Sequence, residues 1–126
     1  MRRASTTLTG QELEIMKIVW ELKSATVRDV YEALLQRRKV AYTTVMTMMK
    51  ILEQKGHLKK SAEDKAYLYT PVKPKSQVIK SMVMEFVDRV FNGSAEPLMV
   101  HLVEEKHLSD AELGEVEQML RKRRKS

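Results

Sequence analysis

Between Gly10 and Thr70 the apolar residues change their spacing once, from a helical period to an extended one, and that switch admits few folds. Leu13, Ile15, Met16, Ile18, Val19, Trp20 and Leu22 make a stripe broad enough for a mostly buried helix. Val27, Val30, Tyr31 and Leu34 then recur at i, i+3, i+4 and i+7. A third helical run, from about Tyr42 to Lys55, turns Val45, Met48, Met49 and Leu52 inward and stops at Gly56, a residue suited to a left-handed cap. After Gly56 the helical period is lost. Leu58–Ala62 and Ala66–Thr70 read as short strands around the polar turn Glu63-Asp64-Lys65, with Tyr67 and Tyr69 on one face and Leu68 and Thr70 on the other. Three helices are followed by a hairpin.

The boundaries have chemical markers. Thr9-Gly10-Gln11-Glu12 is a capping box, in which the Thr oxygen accepts from a free helix N–H and the Glu accepts from the Thr amide. Thr26 opens the second helix with an acid three residues on, Asp29. That helix ends near Gln36, where Arg37-Arg38-Lys39 suits the negative helix terminus. Pro71-Val72-Lys73-Pro74 punctuates the chain and divides it into residues 1–73 and 74–126. In the second part, residues 75–91 form a helix with Ile79, Met82, Val83, Phe86 and Val90 on one stripe and Val78, Val87 and Phe91 beside it. Asn92-Gly93 stops it, and Ser94 is placed to cap a shorter helix that holds Leu98, Met99, Leu102 and Val103. Ser109-Asp110-Ala111-Glu112 opens a last helix with Leu113, Val116 and Leu120 facing inward. The expected class is mainly α with a small β-hairpin.

This order of elements is that of a winged helix-turn-helix followed by a C-terminal helical dimerisation region. In such a head the third helix enters the DNA major groove, about 12 Å wide, and the hairpin wing reaches the neighbouring backbone. Charge agrees with that use. Residues 1–73 carry 14 Lys and Arg against 8 Asp and Glu, whereas residues 74–126 carry 9 of each. Five of the latter nine cations sit in Arg121–Lys125, so without that run the second part holds 4 cations against 9 acids and only the first part is net basic. With Val45, Met49 and Leu52 inward, the third helix presents Thr43, Met46, Thr47 and Lys50, with Tyr42 at its start and Thr44 at its flank. Hydroxyls suit phosphates or base edges, the Thr and Met methyls suit a thymine methyl, and Lys50 suits a guanine or a phosphate. Thr26 and Arg28 on the second helix, and Lys59, Lys60 and Lys65 on the wing, complete the candidate DNA-binding set. Arg2 and Arg3 read as a solvated terminus.

Other chemistry has little to stand on. The chain has no cysteine, which removes disulfides, thiolate nucleophiles and thiolate metal sites. His57, His101 and His107 lack metal-ligand spacing, there is no Gly-rich phosphate loop, and no Ser/His/Asp grouping has a recognisable context. Neither an enzyme nor a bound cofactor or metal is expected. The basic N-terminus leads into no apolar run, so no signal peptide is read and a cytoplasmic location is expected. The C-terminal helices hold more apolar width than a short segment buries alone, which points to a homodimer through Ile79, Met82, Val83, Phe86, Val90, Leu98, Leu102, Leu113, Val116 and Leu120. A winged-helix activator, a ligand-responsive regulator and an RNA-binding winged helix stay open on these grounds.

Several strings resemble the penicillinase-repressor family of BlaI/MecI/CopY-type regulators. They are Leu8-Thr9, Glu12-Leu13-Glu14-Ile15-Met16, Val19-Trp20, Thr26-Val27-Arg28-Asp29-Val30, Ala41-Tyr42-Thr43-Thr44-Val45-Met46-Thr47, Lys55-Gly56 and Tyr67-Leu68-Tyr69-Thr70-Pro71. Leu98-Met99-Val100-His101-Leu102-Val103-Glu104 is similar in register. The resemblance implies a homodimeric bacterial repressor whose heads bind a palindromic operator while its C-terminal helices intertwine. It also implies, for some relatives, a membrane sensor-protease that triggers cleavage of an Asn-Phe bond; His101-Leu102 stands at the corresponding place here. The copper-responsive branch uses C-terminal cysteines, which this chain lacks.

Overall fold

A computed structural model describes residues 7–63 and 66–125, so Arg2, Arg3 and the wing-tip Lys65 lie outside the described residues. The elements run α1 (Gly10–Leu22), α2 (Val27–Leu35), α3 (Tyr42–Gln54), β1 (Leu58–Glu63), β2 (Ala66–Pro71), α4 (Lys75–Phe91), α5 (Glu96–Glu104) and α6 (Asp110–Lys125). No helix among the described residues is long and apolar enough to cross a membrane.

The helix starts follow the local chemistry of their caps. Thr9 Oγ1 accepts from the Glu12 amide at 3.2 Å and the Thr9 amide donates to Glu12 Oε1 at 2.9 Å. Thr26 and Asp29 repeat the exchange at 3.1 and 3.0 Å, and Ser109 and Glu112 at 3.1 and 2.9 Å. The last exchange lowers the Glu112 pKa, because the ionised carboxylate accepts both Ser109 donors. One expected cap is corrected. The N-cap of α5 is Ala95, without a side-chain bond, while the Ser94 amide donates to the Phe91 carbonyl in the turn that closes α4. α2 ends at Leu35 with Gln36 as its C-cap, so the basic cluster follows the helix end as expected. Within that cluster Arg38 also reaches across to α1, donating to Glu14 Oε1 from Nη2 at 2.8 Å.

Ile15, Met16 and Val19 of α1, Val30 and Leu34 of α2, and Val45, Met49 and Leu52 of α3 are fully buried together. Each such side chain contributes about 1.5–3 kcal/mol by leaving water. The hairpin closes this core with Leu58 and Tyr69. β1 and β2 pair antiparallel from Leu58↔Pro71 to Glu63↔Ala66. Ala25, between α1 and α2, adds a one-residue third strand through two hydrogen bonds with Tyr69 at 2.8 and 2.9 Å. Gly56, at φ +87°, makes the sharp exit from α3 that lets β1 turn back along the core.

The chain falls into two compact units, Met1–Met82 and Val83–Ser126. The first therefore includes the early turns of α4. Val78 is 5% exposed within the head core and Met82 packs against it. A fragment ending at Lys73 forfeits both, so it is expected to unfold about 2 kcal/mol more easily than one ending at Met82. Equal urea midpoints for the two fragments would contradict this packing. In the second unit α4 ends at Asn92 and Gly93, both with positive φ, as expected from the Asn-Gly pair. Among its described residues only Val87 is a buried hydrophobic one.

Candidate nucleic-acid interface

Burial of Val45, Met49 and Leu52 fixes the rotation of α3 about its axis, and the rest of the face follows from 3.6 residues per turn. Tyr42, Thr43, Thr44, Thr47 and Lys50 are exposed, and Met46 is half-buried among them. This outward face carries no acidic side chain from Tyr42 to Leu52. The cap of α3 is Ala41, whose side chain makes no hydrogen bond, and no acid stands in the first turn. The first N–H groups of α3 thus have no side-chain acceptor of the kind that Thr9 and Thr26 give α1 and α2, and they leave a positive partial charge at that end.

α2 braces the start of α3. The rings of Tyr31 and Tyr42 meet edge to face with centroids 5.3 Å apart. The Arg28 guanidinium lies 5.9 Å from the Tyr42 centroid and 3.6 Å from the Glu32 carboxylate. Arg28 is well exposed, so this pair is weak and its charge is available to a phosphate. Thr26 is half-buried and committed to capping α2. Tyr31, read from sequence as a core-stripe residue, packs against the head core and also braces the Tyr42 ring.

The wing differs from a plain row of free lysines. Lys59 is exposed, but Lys60 is half-buried, with Nζ 4.4 Å from the Tyr67 centroid and 3.9 Å from Glu53. Lys60 therefore ties β1 to the end of α3. Burial raises the Tyr69 pKa, with Glu53 and Tyr67 adding to the shift, so this tyrosine stays a neutral core residue. The structure thus brings Arg28, Tyr42, Thr43, Thr44, Met46, Thr47 and Lys50 onto adjoining surfaces of α2 and α3.

The second unit presents a different surface. Val83, Met84, Phe86 and Val90 of α4, Met99, Val100 and Val103 of α5, and Met119 and Leu120 of α6 are exposed. Met84 is 55% and Met119 68% exposed, which is unusual for large apolar side chains in such number. Of the expected interface residues, Ile79, Leu98, Leu102, Leu113 and Val116 are half-buried, and Met82 lies against the head core. His101 and Leu102 sit within α5, the His101 ring 6.3 Å from that of Phe91.

Comparison with known proteins matches residues 8–122 to the penicillinase repressor family. A penicillinase repressor of Bacillus licheniformis is 29% identical over 113 residues, covering 90% of this chain and 88% of that protein. The transcriptional regulator BlaI of Mycobacterium tuberculosis (strain ATCC 25618 / H37Rv) is 32% identical over 109 residues, or 85% of this chain and 79% of that one. The solution structure of the DNA-binding domain of the repressor BlaI superposes with a TM-score of 0.52 at 28% identity. It covers 60% of this chain and 92% of that domain.

Proposed function

Because this chain belongs to the penicillinase repressor family, we propose that it represses transcription by occupying a palindromic operator as a homodimer, each head laying α3 in the major groove. The observation that carries this reading is the outward face of α3. Hydroxyls and one ammonium stand there without a carboxylate, on a head whose part of the chain holds the net positive charge. Thr43, Thr44 and Thr47 donate to phosphates or base edges, Met46 packs on a thymine methyl, and Lys50 reaches a guanine or a phosphate. Arg28 and Lys59 neutralise flanking phosphates, and Lys60 holds the wing against α3 while its charge adds to the local field.

Two heads are required by energy as well as by symmetry. One small module covers only about 600–1,000 Å² on DNA, and linking two modules turns the second binding event into an intramolecular one. The exposed apolar surfaces of α4, α5 and α6 supply the link by packing against a second copy. The bond between His101 and Leu102 lies inside α5, where a protease would have to unwind the helix before cutting.

Thr47→Ala and Lys50→Ala are expected each to weaken binding by about 1–3 kcal/mol without changing the oligomeric state. The measurement is a gel-shift titration on a duplex that the wild-type chain selects from a randomised pool. Lys50→Ala should also reduce the slope of log affinity against log salt by about 0.9 per protomer if its partner is a phosphate. Wild-type affinity in both variants would move the reading surface away from α3.

A further inference from the structure

A groove of about 830 Å³ opens on the head between α1, the end of α2 and the segment that joins β2 to α4. Its apolar lining comes from Ile18, Trp20, Leu22, Ala33, Pro71 and Pro74. Lys17, Lys23, Arg37 and Lys75 also line it, against one carboxylate, Glu21. These four cations are exposed and none forms an ion pair among the described residues. Their neighbour Arg38 is different, being held by Glu14. None of the residues that line the groove belongs to the α3 surface proposed to read DNA. An apolar floor under a cationic rim is what a small amphipathic anion requires. The volume also lies in the usual range for ligand sites, about 300–1,000 Å³.

We propose that this groove binds a small planar aromatic carboxylate, its ring against Trp20 and the prolines and its carboxylate on Arg37. A guanidinium matches a carboxylate with two parallel hydrogen bonds, which a lysine cannot do. Lys17, Lys23 and Lys75 supply the surrounding positive field. The floor is held in place, since Trp20 Nε1 donates to the Lys73 carbonyl at 3.1 Å and so fixes the indole against the Pro71–Pro74 segment. A ligand here meets that segment just before α4 begins.

Trp20 is the single tryptophan of the chain, so its indole N–H gives one isolated cross-peak in a proton–nitrogen correlation spectrum. The full-length protein without DNA is titrated with benzoate, and separately with benzyl alcohol and with acetate. Benzoate is expected to shift the Trp20 cross-peak to saturation with a Kd of roughly 0.1–10 mM, as suits so small a ligand. The two controls, one lacking the charge and the other the ring, are expected to leave it in place. Arg37→Gln should weaken benzoate about tenfold, and Lys17→Gln, a check on the first variant, by a smaller factor. No shift, a linear shift without saturation, equal shifts from either control, or unchanged affinity in Arg37→Gln would each overturn the site. The readout involves neither DNA nor the dimer, so its failure is separate from failure of the repressor reading.

Discussion

Phe86→Asp is expected to leave a monomer and to lower operator affinity by about 10²–10⁴-fold, the range over which linking two modules acts. Phe86 is 40% exposed on α4 and packs edge to face with Phe91, centroids 5.8 Å apart. Its ring is thus rigid and presented outward, as an interface anchor needs to be. A carboxylate at that position would have to be desolvated on association, at a cost of several kcal/mol without a partner. The head would be unaffected, because Phe86 belongs to the second compact unit. Sedimentation gives the mass and a gel shift the affinity. An unchanged dimer mass would relocate the interface, whereas a monomer with undiminished operator affinity would show that pairing is irrelevant to DNA binding.

The second large effect concerns the head. Glu12 is only 5% exposed, and Lys55, from the end of α3, donates to its Oε1 at 2.8 Å. Lys55 Nζ also reaches the Thr7 carbonyl at 3.4 Å. Burial pushes the Glu12 pKa up, but Lys55 and the Thr9 amide and hydroxyl outweigh it, and the net shift is downward. A carboxyl with a lowered folded-state pKa contributes stability that is present above its unfolded pKa and lost as pH falls through the folded one. Lys55→Met removes the principal partner and leaves a buried charge, so a loss of about 3 kcal/mol is expected at neutral pH. Burial is then opposed only by the Thr9 amide and hydroxyl, so the Glu12 pKa rises relative to wild type and protonation relieves part of the penalty. The stability gap between wild type and Lys55→Met should therefore narrow as pH drops toward 4. A constant gap in urea unfolding across that range would mean that Lys55 acts through packing alone.

The pattern of the chain made the helices and the wing legible because burial repeats. Val45, Met49 and Leu52 mark one side of α3 by their period alone, and that same period determines which threonines face outward. The capping boxes at Thr9, Thr26 and Ser109 were equally readable, since each rests on two residues three apart. Charges have no such rule. Nothing in the spacing links Glu12 to Lys55, Glu14 to Arg38 or Glu53 to Lys60, whose meetings depend on the fold. For that reason the sequence reading of Lys60 carried no pair with Glu53, and that of the cations after α2 no pair with Glu14. The bridge of Ala25 to Tyr69 is one residue long and leaves no periodic trace. Ser94 had the right chemistry for a cap, but the Asn92-Gly93 turn uses its amide, and α5 begins two residues later.

The bare start of α3 has a thermodynamic consequence. α1 and α2 complete their first turns with threonine and acid, whereas α3, behind Ala41, leaves that turn unfinished. With α3 seated in the major groove, the missing acceptors arrive from outside, as phosphate oxygens. Under the proposed docking, contact with DNA thus also completes the first turn of α3.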